Sequence, residues 1–192
     1  MAFIFGYGSL MNPRSIRDIP FEVIGPATVN GWQRSWSVRV ERGGAGVTAI
    51  GVERKLSAKC NGLLVEISDE QLPALDQREF AYDRRGVPLH ELQIENDRSV
   101  PQRRRCWIYE ASGPSIPARD FPIVMSYSDV IISGTLDISE SFTETFFKTT
   151  SNWNYIHNDR EHPIYPRSLK GLDTKSIDEH MKTFLSRDVI FL

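Results

Sequence analysis

The sequence is short of cysteine, of long apolar runs and of any surplus of charge, and each shortage excludes a class of function. Cys60 and Cys106 are the 2 cysteines among 192 residues. They are too few for the disulfide framework of a small secreted domain, and free thiols point to a reducing cytoplasm. No apolar stretch approaches the roughly 20 residues that cross a bilayer. The opening MAFIFGYGSL has no basic n-region and meets glycine after five residues, unlike an export signal. Lys and Arg number 23 against 25 Asp and Glu, a net charge of −2, so the chain does not read as a binder of nucleic acid or other polyanions. Internal repeats and low-complexity tracts are missing too. What remains, 40% hydrophobic, suits one domain with a real core rather than two.

The pattern changes along the chain. Residues 2–8 are apolar and break into a glycine turn. VIGPATVNGW, QRSWSVRV, GVTAIGVE and KCNGLLVEI (from residues 23, 33, 46 and 59) are β-branched or aromatic runs parted by Gly, Asn or Ser, which predicts short strands. Ser68 followed by Asp69 and Glu70 predicts a capped helix start, with Leu72 and Leu75 facing inward. VPLHELQIE and RRRCWIYE return to strand alternation. Helices are expected over 121–134, over 139–150 behind a Ser cap with a Phe142/Phe146 face, and over 173–187, with a loop at 152–167. Strands first and helices last predict an α+β fold.

Two local features carry candidate chemistry. In Gly6-Tyr7-Gly8-Ser9-Leu10 a strand ends in a turn whose glycines permit close backbone approach to a ligand. A helix over Ser9–Arg17 would aim free N–H groups at an anion there. In Leu75-Asp76-Gln77-Arg78-Glu79-Phe80-Ala81-Tyr82 a carboxylate stands between an arginine and two aromatics. That setting suits a buried general acid/base with a tuned pKa, and equally the solvated end of a surface helix.

YGSL after the first strand, the distant LDxRE-x-x-Y, and Tyr127-Ser-Asp-Val-Ile-Ile-Ser-Gly134 together resemble the γ-glutamylcyclotransferase family, which includes the ChaC-type and γ-glutamylamine enzymes. GWQRSWSV fits the same order. The resemblance covers roughly residues 1–136 and implies a small, largely antiparallel β-barrel with flanking helices, extended by a helical C-terminal segment, 137–192. It implies a small-molecule γ-glutamyl substrate whose own α-amine attacks the side-chain carbonyl, giving 5-oxoproline and a free amine without metal or cofactor. Glu79 would be the catalytic base and acid. Tyr7, Gly8, Ser9 and Leu10 would hold the γ-glutamyl group, Tyr82 and Tyr127 would line the pocket, and Asp76 and Arg78 would order the helix end. Met11 and Asn12 stand where ChaC-type members carry a Trp, so that subgroup's glutathione specificity is not implied. The alternative is a non-catalytic binding or regulatory module on the same fold.

Other groups have plainer readings. Gln102–Arg105 beside Arg98 reads as a solvated strand start. His157, Asp159 and His162 lie on a Pro-flanked loop without further metal ligands. Trp153, Tyr155, Tyr165 and Arg167 could cap the pocket or anchor the tail. We expect the loop carrying Trp153, His157, Arg160, Tyr165 and Arg167 to lie over the pocket and select the leaving group, with Arg160 or Arg167 pairing a carboxylate. The oligomeric state is open.

Overall fold

The structure, a computed structural model, describes residues 1–95, 104–111 and 115–192. Of the basic run, residues 98, 102 and 103 fall outside that range, while Arg104 pairs with Glu66.

Strand β1 (Ala2–Gly6) is buried at every position, so both of its faces must be covered, and it lies inside the main sheet. Strands β2 (Glu22–Arg42) and β3 (Ala45–Ile67) form one long antiparallel hairpin. Its turn uses Gly43 and Gly44 at φ 56° and 80°, a region that L side chains avoid. The sequence predicts breaks within both strands; the structure runs each of them through. At Gly31 the register slips between Asn30 and Trp32, so this glycine makes a bulge that bends the strand rather than ending it.

The sheet is completed by β4 (Tyr82–Val87), β5 (Leu92–Ile94), β6 (Cys106–Ala111) and β8 (Thr150–Ser151). Among the described residues its order is β4-β6-β1-β3-β2-β5, with β8 added to β2. Pairing is antiparallel except for β1 with β6 and β2 with β8. The long bulged hairpin curls this sheet into a half-barrel around Phe3, Phe5, Trp36, Ile50 and Ile108, all at most 2% exposed.

Helices flank it: α1 (Leu72–Arg78), α2 (Met125–Leu136), α3 (Glu140–Thr149) and α4 (Thr174–Phe184). None of them is long and apolar enough to cross a membrane. Helix α2 is buried from Met125 to Thr135, the polar Ser126, Asp129 and Ser133 included. It begins later than its sequence predicts, because Ile123–Val124 is taken by a short strand, β7. That strand pairs in parallel with β9 (Tyr155–His157), which pairs with β10 (Ile190–Phe191). Two of these strands come from the segment expected to be helix and loop, where short backbone pairings escape any residue pattern.

Ser68 makes no side-chain cap, and a 3-10 turn, Asp69–Gln71, precedes α1; the caps of α3 and α4 do form. Ser139 accepts the Phe142 N–H at 3.1 Å and Asp173 the Ser176 N–H at 3.1 Å, satisfying free donors at the starts of α3 and α4. Phe142, Phe146, Ile156 and Ile177 from the C-terminal segment join Trp36 and Ile131 in one core. The amphipathic faces of the tail thus close on the barrel.

Candidate active site

Beyond β1 the chain makes two short 3-10 turns, Ser9–Met11 and Pro13–Ile16, in place of the helix expected from Ser9. Asn12 joins them. Its Oδ1 accepts the Arg14 N–H at 3.1 Å, and its amide donates to the Val130 carbonyl at 2.9 Å and to Ser133 Oγ at 2.8 Å. These bonds fasten the turn to α2. The Tyr7 hydroxyl donates to the Tyr109 carbonyl, fixing the ring below the turn.

Behind Tyr7 stands Arg34, fully buried and, among the described residues, without a carboxylate partner. Its guanidinium donates to the Tyr7 carbonyl (3.3 Å), the Asn61 carbonyl (2.6 Å) and side chain (2.7 Å), and the Thr149 and Thr150 hydroxyls (both 2.8 Å). Burial pulls its pKa down to about 10, yet it remains a cation at neutral pH. One planar fork therefore ties the ligand-side turn to β3 and to the end of α3, a task that lysine's single ammonium could not perform. The sequence analysis did not single out Arg34. A signal was present, because Trp32, Arg34 and Trp36 alternate along one strand and so share a face.

Glu79 follows the last residue of α1, where its N–H closes the helix on the Leu75 carbonyl at 2.9 Å. Its side chain is 17% exposed, and its Oε1 accepts Arg78 Nε at 2.9 Å. Arg78 also donates to Ser9 Oγ at 3.3 Å and to the Ser15 carbonyl at 3.0 Å. Arg78 thus does more than order a helix end: it holds Glu79 and the turn on one guanidinium. Asp76 instead accepts the Tyr109 hydroxyl at 2.8 Å and pairs with Arg84.

Burial pushes the Glu79 carboxyl above its ordinary pKa, against the opposing pull of Arg78, Arg167 and Arg42. Burial likewise lifts the phenols of Tyr7, Tyr82 and Tyr127 well above their usual range, so all three are neutral at physiological pH. Tyr82 donates to the Ile50 carbonyl at 2.8 Å. The Tyr127 ring sits edge-on to Trp36 and 4.7 Å from the Tyr165 ring.

These groups surround a two-lobed cavity. Tyr7, Gly8, Leu10 and Tyr109 line an inner lobe. Arg42, Phe80, Ile164, Tyr165 and Arg167 line an outer lobe. Ser9, Glu79, Tyr82 and Tyr127 line both lobes. The turn, the carboxylate and the two tyrosines named from the sequence therefore face one space, and the tail loop contributes Tyr165 and Arg167.

Three loop residues expected over the pocket lie elsewhere. His157 ends β9 and pairs with Val124 of β7. Trp153 stacks on Phe147 at 5.3 Å and meets Trp36 edge-on at 5.0 Å, packing the tail on the barrel. Arg160 is engaged by Asp129 (2.7 and 3.0 Å) and Asp178 (3.0 and 2.7 Å), so four of its five N–H donors are taken by these carboxylates. Asp159 is equally committed: it accepts the N–H groups of Ser126 (2.7 Å) and Ile164 (2.8 Å) and the Ser126 hydroxyl. Among the described residues no group of His, Cys, Asp and Glu is placed to hold a metal.

No curated protein matches this sequence. Among solved structures, one described as gamma-glutamyl cyclotransferase superposes with a TM-score of 0.61 at 14% identity, covering 95% of this chain and 98% of that one. An uncharacterized protein from Homo sapiens gives 0.59 at 13% identity, with coverages of 94% and 98%. YkqA from Bacillus subtilis gives 0.59 at 18% identity, over 77% of this chain and 53% of its own. At such identities the likeness is one of fold, and at 95% coverage it extends past residue 136 into the segment that the sequence resemblance omits. The family model for gamma-glutamyl cyclotransferase, AIG2-like proteins matches residues 4–126. That span includes the Tyr7–Leu10 turn, Glu79 and Tyr82 and makes up well over half of the sequence: the chain belongs to this family.

Proposed function

We propose that this protein is a γ-glutamyl cyclotransferase, releasing 5-oxoproline and a free amine from a γ-glutamyl amine or peptide. In the reaction the substrate's α-nitrogen forms a bond to its own γ-carbonyl carbon, closing a five-membered ring, and the amide bond to the leaving amine breaks. The nucleophile belongs to the substrate, so the protein needs no Ser or Cys for attack and no cofactor. It must orient the chain, an effect worth up to about 7–11 kcal/mol in favourable intramolecular cases, and it must move a proton.

Glu79 takes the proton from the α-ammonium and delivers it to the departing nitrogen. Its raised pKa suits both halves of that task, because a base of low pKa would hold the proton too weakly. The Tyr7–Leu10 turn binds the γ-glutamyl group and supports charge developing on the carbonyl oxygen. Tyr82 and Tyr127, neutral phenols beside Glu79, complete the wall. The observation that carries this reading is that Glu79 and Ser9 share the Arg78 guanidinium on one cavity.

The test is release of 5-oxoproline from γ-glutamyl dipeptides, glutathione and γ-glutamyl-lysine, with Glu79→Gln as the control. Binding of these compounds without any 5-oxoproline would instead establish a non-catalytic binding module.

A further inference from the structure

The outer lobe holds an imbalance of charge that the reaction at Glu79 does not use. Three guanidiniums, those of Arg42, Arg78 and Arg167, line it against one carboxylate, Glu79. Arg78 is spent on Glu79, Ser9 and Ser15. Among the described residues neither Arg42 nor Arg167 forms an ion pair, although each reaches the cavity from a different part of the chain: Arg42 ends β2, and Arg167 follows Tyr165 in the tail loop. Arg42 lies over the Phe80 ring, 5.2 Å from its centroid. That contact uses the face of the guanidinium and leaves its N–H fork available. Phe80 is 66% exposed, which places this pair at the mouth.

The Arg42 and Arg167 guanidiniums both act on Glu79 through space, but that carboxylate is already paired with Arg78, so a surplus of positive charge remains on this half-buried wall for an anion to offset. Position says which anion. The γ-glutamyl group belongs to the inner lobe, with its α-ammonium at Glu79, so the departing half of the substrate must extend into the outer lobe. We propose that Arg42 and Arg167 recognise a carboxylate on the leaving amine, making the substrates γ-glutamyl amino acids or peptides with a free C-terminal carboxylate rather than uncharged or cationic γ-glutamyl amines. This deepens the cyclotransferase reading and rests on it.

A matched pair of substrates tests the proposal. γ-Glutamyl-valine and γ-glutamyl-valinamide differ at the carboxylate alone, and the amide releases the less basic, better leaving amine, so chemistry by itself favours the amide. With 5-oxoproline release as the readout, kcat/KM should favour the acid by about ten- to a hundredfold, the scale of a charge-assisted contact. The preference should reside mainly in KM, because this carboxylate is held alike in the ground and transition states. In Arg42→Gln and in Arg167→Gln the acid-to-amide ratio should fall towards one. The ratio is taken on one preparation, so partial misfolding or a shift in Glu79 acidity cancels. Equal kcat/KM for acid and amide in the unaltered protein overturns the proposal, as does a preference that survives both substitutions. Failure to release 5-oxoproline from either compound, from glutathione or from γ-glutamyl-lysine is a different result: it removes the cyclotransferase reading itself and this proposal with it.

Discussion

Replacing Glu79 by Gln isolates the proton-transfer role from everything else the residue does. The Gln Oε1 can still accept Arg78 Nε, which donates to Glu79 at 2.9 Å, so the link from Arg78 to Ser9 and Ser15 survives and the cavity keeps its shape. What is lost is the ability to take a proton from the α-ammonium. A positioned acid/base contributes about 10²–10⁴ in rate, equivalent to about 3–5 kcal/mol in the barrier, and kcat should fall by that factor with KM little changed. In the unaltered protein kcat/KM should rise with pH along an acid limb set by Glu79, displaced above an ordinary carboxylate because burial raises its pKa. Arg167→Gln removes a cation that opposes that rise and should move the limb to still higher pH. Stability follows the same shift with the opposite preference. A carboxyl of raised pKa binds more protons folded than unfolded between its two pKa values, so its contribution to stability falls as pH rises through that window. The Gln variant should therefore unfold at a temperature no lower than the parent at neutral pH, and lose the acid limb. A variant that keeps most of its activity, or whose activity vanishes only because it unfolds, would refute this reasoning.

Gly8→Val should weaken substrate binding and stability together. A Cβ there would come within 2.7 Å of Ile50 Cγ2, and Ile50 is 1% exposed and cannot retreat, so overpacking should cost about 1–3 kcal/mol; a parental KM would remove the turn from the binding site. Arg34→Met strips buried donors from the Tyr7 and Asn61 carbonyls and should lower stability by about 2–4 kcal/mol in denaturant titration. Arg34→Lys should recover little of that loss, because an ammonium cannot span the same acceptors; full recovery by lysine would mean that charge alone matters at this position. Asp159→Ala cuts the ties between the tail loop and the start of α2 and should cost about 2–3 kcal/mol. The acid-to-amide preference should fall with it and the Glu79 acid limb should move up as it does in Arg167→Gln, and an unchanged preference would mean that the loop holds Arg167 without this anchor.

How much of this was legible in the sequence depends on how far each residue's surroundings lie along the chain. The turn and Glu79 were legible because their signals are local: glycines beside a strand end, and a carboxylate framed by Arg78 and aromatics at a helix terminus. The helix cap at Ser139 was legible for the same reason. The long hairpin was harder to foresee, since glycine at a bulge and glycine at a strand end look alike until the partner strand is known. The tail loop shows the limit most clearly. Trp153, Arg160, Tyr165 and Arg167 sit close together in sequence and were all expected at one cavity, yet the chain distributes them to three environments. Trp153 joins an aromatic core, Arg160 is held by Asp129 and Asp178, and only Tyr165 and Arg167 reach Glu79's side of the barrel. What separates them is Asp159. By accepting the amides at both Ser126 and Ile164, it pins the loop to the first turn of α2, and the Tyr165 N–H adds a bond to Ser126 Oγ at 3.1 Å. From there Tyr165 lies against Tyr127, a residue of α2 itself. The inner wall of the cavity and the loop that closes its outer lobe are therefore fastened to the same helix. Movement of α2 would disturb both lobes at once, and the buried polar bonds at Ser126 and Ser133, to Asp159 at one end and Asn12 at the other, hold that helix in place.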